Sequence, residues 1–393
     1  MAILAVNAGS STLKFSVHPL QNQGVLDPVL IGNIQGLEPA GQPRMDWIWQ
    51  GQRHQRALPT IEGTPFERAL HALHGLLAEL PALPPLRAVA HRVVHGGHQY
   101  QHSVRITPEV LRALEQLNSL APLHQPHNLA GIRAFTAAFP ELPQVACFDT
   151  AFHATLPREE SHYALPQTLA DQGVRRYGFH GLSYQSIMGT LQSCSARAHG
   201  RTLMAHLGNG ASLCACKDGV SVATTMGFSA LDGLMMGTRS GSLDAGVLLY
   251  LLEQGWDHGR IEKLLYKQSG LLGVSGISAD MRALRADGSA DAQRAIAQFT
   301  HRVVRETGAL IACLDGLDVL AFSGGIGEND AVLREQVCNR LAWTGLRIDA
   351  QRNRQADGHA AWAIHAPDSR VEIWVVPTDE GRVAAREAVN LLC

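Results

Sequence analysis

Three glycine-bearing turns, each entered from a short apolar run, constrain this chain more than any other feature of its sequence. Ile3-Leu4-Ala5-Val6 leads into Asn7-Ala8-Gly9-Ser10-Ser11, and Thr202-Leu203-Met204-Ala205 into His206-Leu207-Gly208-Asn209-Gly210-Ala211-Ser212. The third run, Val319–Phe322, leads into Gly325-Ile326-Gly327-Glu328-Asn329. Glycine reaches positive φ without a Cβ penalty and lets backbone N–H groups close on a ligand. Successive N–H groups form a concavity suited to phosphate. One strand–glycine turn is an ordinary chain reversal. Three of them, two opening strand pairs of similar pattern, point to a duplicated clamp for nucleotide phosphates.

The order of elements supports the duplication. Strands Ile3–Val6 and Leu13–Val17 flank the first turn, and Val29–Ile34 and Met45–Trp49 continue as strands. Apolar spacing at Phe66, Leu70, Leu73 and Leu77 predicts a helix over Pro65–Leu80. Strand Ala88–Val94, helix Pro108–Leu120 with proline in its first turn, a helix near Asn128–Phe139 and strand Gln144–Phe148 follow. The pattern then restarts. Leu203–Leu207, Ser212–Cys216 and Val220–Thr224 form a meander, with Lys217-Asp218-Gly219 as a hairpin turn. Helices near Ala245–Glu253, Ile261–Gln268 and Ala292–Leu314 precede strand Val319–Phe322, helix Ala331–Leu341, strand Val371–Val376 and a terminal helix from about Thr378. Stretches near Gly288–Ala290 and Arg352–Gly358 read as surface loops. Two such halves predict duplicated α/β domains around a cleft, with ligands outside the carboxyl ends of the strands.

Composition narrows the function classes. The 393 residues suffice for two domains. A hydrophobic content of 46% and a charged content of 17% describe a well-cored soluble chain. A formal net charge of -2 gives no global field toward nucleic acid or an anionic membrane. No run approaches the roughly 20 apolar residues of a membrane span, and Met1–Val6 lacks the basic region of a signal peptide. Seven cysteines, an odd number without a C-x-x-C pair, favour a reducing cytoplasm over a disulfide framework.

Neither a G-x-x-x-x-G-K-[ST] loop nor a post-strand G-x-G-x-x-G is present, so phosphate binding rests on the dispersed turns. His91-x-x-x-His95-x-x-His98, with His124 and Asp149, is the best candidate for zinc, although His98 falls in the Gly96-Gly97 turn and the H-E-x-x-H glutamate is missing. Arg92, in an otherwise apolar strand, and Arg239, in Gly237-Thr238-Arg239-Ser240-Gly241, carry guanidinium forks suited to carboxylate and phosphate. Asp149 and Glu380 each follow a strand, where a carboxylate could hold magnesium or, for Glu380, stabilise a helix N-terminus. His180 follows an aromatic pair in Tyr177-Gly178-Phe179-His180-Gly181.

These residues converge. The chain closely resembles the acetokinase family, of the superfamily that holds acetate and sugar kinases, actin and chaperone ATPases. The resemblance runs end to end on Asn7–Lys14, His91–Gly97, Pro122-Leu123-His124, Phe148–His153, Arg176–Gly181, His206–Ser212, Gly237–Gly241, Gly324–Asn329 and Pro377–Glu380. It implies two ribonuclease H-like domains, 1–150 with 380–393 and a nucleotide-binding 151–379, in a cytoplasmic homodimer. The activity it implies is acetate kinase, reversible transfer of the ATP γ-phosphoryl group to acetate, with propionate kinase as the nearest alternative. Asn7 and Glu380 match the positions for magnesium, or manganese in its place, and Lys14 a nucleotide-phosphate contact. Arg92 matches the carboxylate-binding residue, and Val94, Leu123, Phe179 and Ala230 the acyl pocket. Asp149 matches the catalytic acid, His180 and Arg239 the stabilisers of the transition state. His206, Leu207, Gly208, Asn209 and Gly210 would lie along the phosphates. Asp280, Met281 and Arg282, with Gly325, Ile326, Gly327, Glu328 and Asn329, would hold the adenosine. Acetate is already ionised at neutral pH, so alignment and charge neutralisation matter more than a strong base, and Asp149 orients metal or substrate as much as it moves protons. Other classes weighed against this are a nucleotide-switch protein, which gives no reason for two arginines to converge, and a zinc hydrolase. The chain departs from the family at Ser242-Leu243-Asp244-Ala245, which lacks a usual carboxylate and proline, at Gln125-Pro126-His127, and at Ala230, where proline is common.

Overall fold

Strand Ala2–Ala8 is buried along almost its whole length because it is hydrogen-bonded on both edges and covered on both faces. It belongs to one of two compact units of the computed structural model, Met1–Ala151 with Asp379–Cys393, the other being Phe152–Thr378. The structure describes every residue except Ser10, Gln23, residues 39–40 and 59–62, Leu123 and Cys393.

In the first unit nine strands are seen among the described residues: β1 (Ala2–Ala8), β2 (Thr12–Gln21), β3 (Gly24–Val25), β4 (Leu30–Gln35), β5 (Arg44–Trp49), β6 (Gln52–Ala57), β7 (Leu86–Val93), β8 (Val104–Arg105) and β9 (Gln144–Phe148). The order is β6-β5-β4-β2-β1-β7-β9-β8, with β3 on β2. Neighbours are antiparallel from β6 to β1, and β1, β7 and β9 are parallel. Val6, Leu13, Phe15, Val17 and Ile34 pack with Leu70, Leu73 and Leu76 of helix Pro65–Glu79. That helix starts where Thr64 and Glu67 cap each other reciprocally, satisfying two otherwise orphaned N–H groups. Helix Glu380–Leu392 packs against β1 and β7 and buries Val383, Ala384, Ala385, Ala388 and Val389. Three alanines in that set allow a close approach of helix to sheet.

The second unit repeats the pattern with β10 (Arg201–Leu207), β11 (Ala211–Lys217), β12 (Val220–Thr224), β13 (Val319–Ser323), β14 (Trp362–Ala363) and β15 (Glu372–Val375), in the order β12-β11-β10-β13-β15-β14. The run β12-β11-β10-β13-β15 matches β4-β2-β1-β7-β9 in order and in strand direction. Both units are therefore ribonuclease H-like, and the duplication inferred from the turns is a duplication of topology. Tyr184, Ile187, Met188 and Leu191 of helix Gly181–Cys194 pack with Met204, Cys214, Cys216, Val319 and Ala321. Helix Ala290–Cys313 packs along β10, β11 and β12, burying Phe299, Thr300, Val303, Thr307 and Leu310 at helical spacing.

Three local readings are corrected, and one strand is added. Strand β6 is entirely exposed and carries no apolar residue before Ala57, so hydropathy gave no signal. Its signal is Gln50-Gly51, both at positive φ (51° and 76°), the two-residue loop that matches strand twist. Helix Pro108–Glu115 stops short of Leu120 because the following residues close three-residue turns, Leu117 N–H to Leu114 and Leu120 N–H to Leu117. The third glycine turn is a short helix, Gly324–Asn329, beginning directly after β13. The supposed loop near Arg352–Gly358 begins as helix Ala350–Gln355, capped by Asp349, whose carboxylate accepts from the N–H groups of Gln351 and Arg352. Among the described residues no helix is long and apolar enough to cross a membrane.

Two histidines make the first unit sensitive to acid. His91 on β7 is buried, with Nε2 2.6 Å from Gln144 Oε1, and burial lowers its pKa to about 4 despite that hydrogen bond. Burial likewise brings His95 down to about 4. In the unfolded chain both protonate near 6.5, so the unfolded state binds more protons between those values. Their contribution is present above about pH 6.5 and is lost as pH falls toward 4. At the low-pH limit the loss is on the order of 3 kcal/mol for each histidine. The urea midpoint should fall across that window, and His91→Gln should flatten the slope. An unchanged slope in the variant would remove His91 from this account.

Candidate active site

In the first unit, the carboxyl ends of β1, β7 and β9 and the start of helix Glu380–Leu392 gather charge. Arg92 donates from Nε and Nη2 to Asp149 at 3.0 and 2.6 Å, and its Nε lies 3.5 Å from Glu380. Asp149 is 2% exposed at its side chain, Arg92 21% and Glu380 25%, so Asp149 is the buried member and both Arg92 and Glu380 keep part of their surface accessible. Burial opposes the Arg92 charge, but Asp149 and then Glu380 more than offset it and raise its pKa. Backbone contacts fix the same place: Asp149 N–H donates to Val93, and Gly96 N–H to Thr150 Oγ1.

Helix Gln125–Ala138 holds the segment after Arg92. Asn128 accepts from Val94 N–H at 3.0 Å and donates to the Ala8 carbonyl at 2.7 Å. Gln125 accepts from His95 N–H at 3.2 Å and returns a bond to the His95 carbonyl at 3.0 Å. Val94 is thus buried at a fixed place beside the end of β1. Leu123, the other pocket residue expected from this unit, lies outside the described residues. Asn7 on β1 sits opposite Lys14 on β2, and Lys14 is exposed.

In the second unit, His180 is the centre. It has left-handed backbone (φ 59°, ψ 24°) at the N-terminus of helix Gly181–Cys194. A non-glycine residue there costs energy and persists only where its surroundings fix it. They do: His153 Nε2 bonds the Phe179 carbonyl at 3.0 Å, and a Cβ on Gly178 (φ 74°) would come within 2.6 Å of the His153 ring. His180 Nδ1 lies 2.8 Å from Ser212 Oγ, and its ring stacks on His206 at 4.4 Å. His206 Nδ1 bonds Ser183 Oγ at 2.8 Å. A Cβ on Gly210 would stand 3.3 Å from His180 Nε2 and 3.9 Å from Arg239 Nη1, so the glycine turn brings both groups to one place. Leu207 is buried, and Gly208 N–H closes that turn on the Gly210 carbonyl. Asn209 accepts from Gly237 N–H through its own carbonyl at 3.0 Å.

Arg239 donates from Nη1 to the Ala230 carbonyl at 2.8 Å. Its loop is fixed by backbone bonds, Leu271 and Leu272 N–H to Met236 and Gly237, and Ser240 N–H to Leu265. The departures in the next stretch are absorbed. Ser242 donates to Asp232 at 2.7 Å, where a second carboxylate would repel, and Asp244 caps helix Ala245–Glu253 without a proline. Arg176, which sequence reasoning used only as part of a motif, donates to the Thr224, Thr225 and Met226 carbonyls and reaches Asp232, shaping the strand exit that leads to Ala230.

The segments matched to adenosine lie in this unit too. Asp280 caps helix Met281–Asp287 and pairs with exposed Arg282, while Met281 is buried. Gly325 and Asn329 are exposed, Ile326 and Glu328 half-buried and Gly327 buried, and Glu328 accepts from Gly324 N–H at 2.8 Å. Two arginines unnoticed in the sequence organise them. Arg285 bonds Asp330 at 2.6 Å. Fully buried Arg334 donates to the Gly327 and Glu328 carbonyls and to Asn353. Fixed spacing from a glycine turn does not reveal such partners; only packing does.

For a metal, Asn7 and Glu380 offer an amide and a carboxylate oxygen from one unit. Arg92 brings one positive charge to two carboxylates, which leaves that end of the sheet negative and suited to a hard divalent cation. Magnesium keeps waters and substrate phosphates as its other ligands, so a sparse protein set fits it. The histidines of the zinc candidate are engaged elsewhere, His91 with Gln144 and His95 Nδ1 with Gly97 N–H. Among the described residues no group of three or more His, Cys, Asp or Glu is placed to hold a metal ion.

Comparison with known proteins gives the family. The Acetokinase family model matches residues 2–386. The acetate kinase of Rhodopseudomonas palustris is 47% identical, covering 99% of this chain and 98% of its own. The crystal structure of acetate kinase from Porphyromonas gingivalis is 35% identical with a TM-score of 0.88, covering both chains in full (100% and 100%). That of a propionate kinase from Francisella tularensis is 36% identical with a TM-score of 0.90, covering 99% of each. The chain belongs to the acetokinase family.

Proposed function

We propose that this protein is a phosphotransferase that moves the γ-phosphoryl group of ATP to acetate, reversibly and in line, giving acetyl phosphate and ADP. The observation that carries the reading is Arg92, a guanidinium oriented by Asp149 and Glu380 at the carboxyl end of β7, in a chain whose relatives are named acetate kinase. Such a fork receives a carboxylate with two parallel bonds. The bound acetate needs no strong base, since it is already an anion. The double hold of Asp149 on Arg92 gives that carboxylate an orienting role beside any proton transfer. His180 and Arg239 are read as donors to the equatorial oxygens of the transferring group, where negative charge spreads in the transition state. Lys14 and His206–Gly210 hold the phosphates, Asp280–Arg282 and Gly325–Asn329 the adenosine. Asn7 and Glu380 would hold magnesium, or manganese in its place, which supplies neutralisation of phosphate charge when bound. Trapping with hydroxylamine should detect ATP-dependent acyl phosphate from acetate, lost on chelation and restored by magnesium alone. No trapped product would remove the reading.

The two arginines should separate kinetically. Arg239→Ala should lower kcat by on the order of 10²–10³ with a smaller change in the acetate KM. Arg92→Ala should raise the acetate KM strongly and leave the ATP KM nearly unaltered. Equal damage to both KM values by Arg92→Ala would indicate a collapsed site instead.

The acyl pocket is assigned to Val94, Leu123, Phe179 and Ala230. The methyl of Ala230 is smaller than the proline ring common at that position, and one methylene discriminates by only about 1–3 kcal/mol. Acetate should stay preferred and propionate be used measurably, so the propionate kinase alternative is not favoured. Ala230→Pro should raise the acetate-to-propionate ratio of kcat/KM; an unchanged ratio, or butyrate ahead of acetate, would discard this pocket.

A cytoplasmic homodimer completes the proposal. The cysteines described are free, and Cys147, Cys214, Cys216 and Cys338 are buried. Helix Ala245–Glu253 is strongly apolar yet buries none of its residues, with Leu249, Tyr250 and Leu252 all more than half exposed. Apolar patches of that kind mark interaction surfaces, and a second copy is the proposed occupant. Leu249→Glu should shift the dimer to monomer in sedimentation; a dimer unmoved by it would place the interface elsewhere.

A further inference from the structure

Tyr184 and Ser212 form a buried hydrogen-bond relay that ends on His180 and has no part in the roles assigned above. Tyr184 lies one turn after His180 on helix Gly181–Cys194, and its hydroxyl bonds Ser212 Oγ. Ser212, at the start of β11, lies 2.8 Å from His180 Nδ1. Tyr184 and Ser212 are both 0% exposed. The phenol is enclosed by Phe152, His153 and the β11 strand, and burial pushes its pKa well above the ordinary value, so it keeps its proton. A phenol that keeps its proton can donate it to the serine oxygen, and the relay is read in that direction. The serine proton is then directed at Nδ1, which makes Nδ1 an acceptor and leaves the imidazole proton on Nε2, the nitrogen beside Gly210.

We infer that Tyr184 and Ser212 are positioning residues that fix the Nε2–H tautomer of His180 and disfavour its imidazolium form. This rests on the proposed role of His180 as a donor to the transferring phosphoryl group. The relay presents that donor without rearrangement at the moment of reaction, the condition under which such donors are most effective. Beside His180 also stand His206, stacked on it, and Arg239, which shares the Gly210 turn; beyond Tyr184 lies His153. None of these is altered when the relay alone is changed.

The test uses the full-length protein. Ser212→Ala should lower kcat about 10- to 100-fold, the usual cost of losing a partner that orients a functional histidine, with both KM values nearly unchanged; Ser212→Thr should recover most of it. Tyr184→Phe removes one oxygen and leaves Ser212 a better acceptor for Nδ1–H. Its acidic pH limb should move up by roughly half to one pH unit, the size of one neutral hydrogen bond. In ¹⁵N spectra the parent should show His180 protonated at Nε2 and the Ser212→Ala variant a mixture. Parent-like kcat in Ser212→Ala, or an unmoved pH limb in Tyr184→Phe, would overturn the relay. If Ser212→Ala does not fold, the Tyr184→Phe pH profile decides alone, since the ring volume is retained. Full activity in His180→Ala would instead sink the role of His180, a different failure from a silent relay in an enzyme that needs His180.

Discussion

Each sheet depends on one strand that is buried on both faces and presents a polar residue just before its carboxyl end. β1 runs Ala-Ile-Leu-Ala-Val and then presents Asn7; β10 runs Thr-Leu-Met-Ala and then presents His206. Burial on both sides fixes how far each strand runs into its sheet, because sliding it along its own axis would push apolar residues out of the core at one end and draw the polar residue near its carboxyl end into it. Their carboxyl ends are therefore the best-determined points in each unit. Several of the groups assigned to chemistry stand on those ends or on the immediate neighbours: Arg92 near the end of β7, Asp149 just after β9, Ser212 at the start of β11 and Gly325 just after β13. Precision at the site is inherited from the core.

What the neighbours add is electrostatic restraint. Arg92 is aimed by two carboxylates, and Arg239 donates to a backbone carbonyl, so each guanidinium has part of its fork committed to the protein. His180 is fixed twice, through its strained backbone and through Nδ1. The common feature of Arg92, Arg239 and His180 is that each is already engaged by a partner on its protein side. Such engagement lowers the ordering entropy that remains for binding, which is the general benefit of preorganisation.

Much of this was legible in the sequence, for reasons that are themselves physical. Alternation of apolar runs and glycine turns reported the buried central strands, and Asp218-Gly219 reported a hairpin that closes with both residues at positive φ. Motif residues at strand ends could be read because a strand fixes where its end points. Strand β6 could not be read from hydropathy, since an exposed edge strand of Gln, Arg and His has no apolar face and avoids edge pairing for that reason. Helix Gly181–Cys194 was missed because glycine, serine and threonine dilute its propensity, while its burying residues, Leu182, Tyr184, Ile187, Met188 and Leu191, carry the helical period. Arg334 and Asn353 could not be paired from sequence at all: a buried cation satisfied by carbonyls is a property of packing, and nothing in the local pattern around Asn353 announces it.

The helix that closes the first unit comes from the far end of the chain. Glu380–Leu392 covers β1 and β7, yet the whole of the second unit lies between them in sequence. During synthesis β1 and β7 are made long before the alanine-rich face that covers them, and that face of the sheet stays without this helix until the whole second unit has been made. The inserted unit is contiguous in sequence and can reach its own core before the first unit is closed. Glu380 can arrive beside Arg92 only after that unit has been made, so the charge cluster of the first unit is a late contact in synthesis although two of its three members are made early.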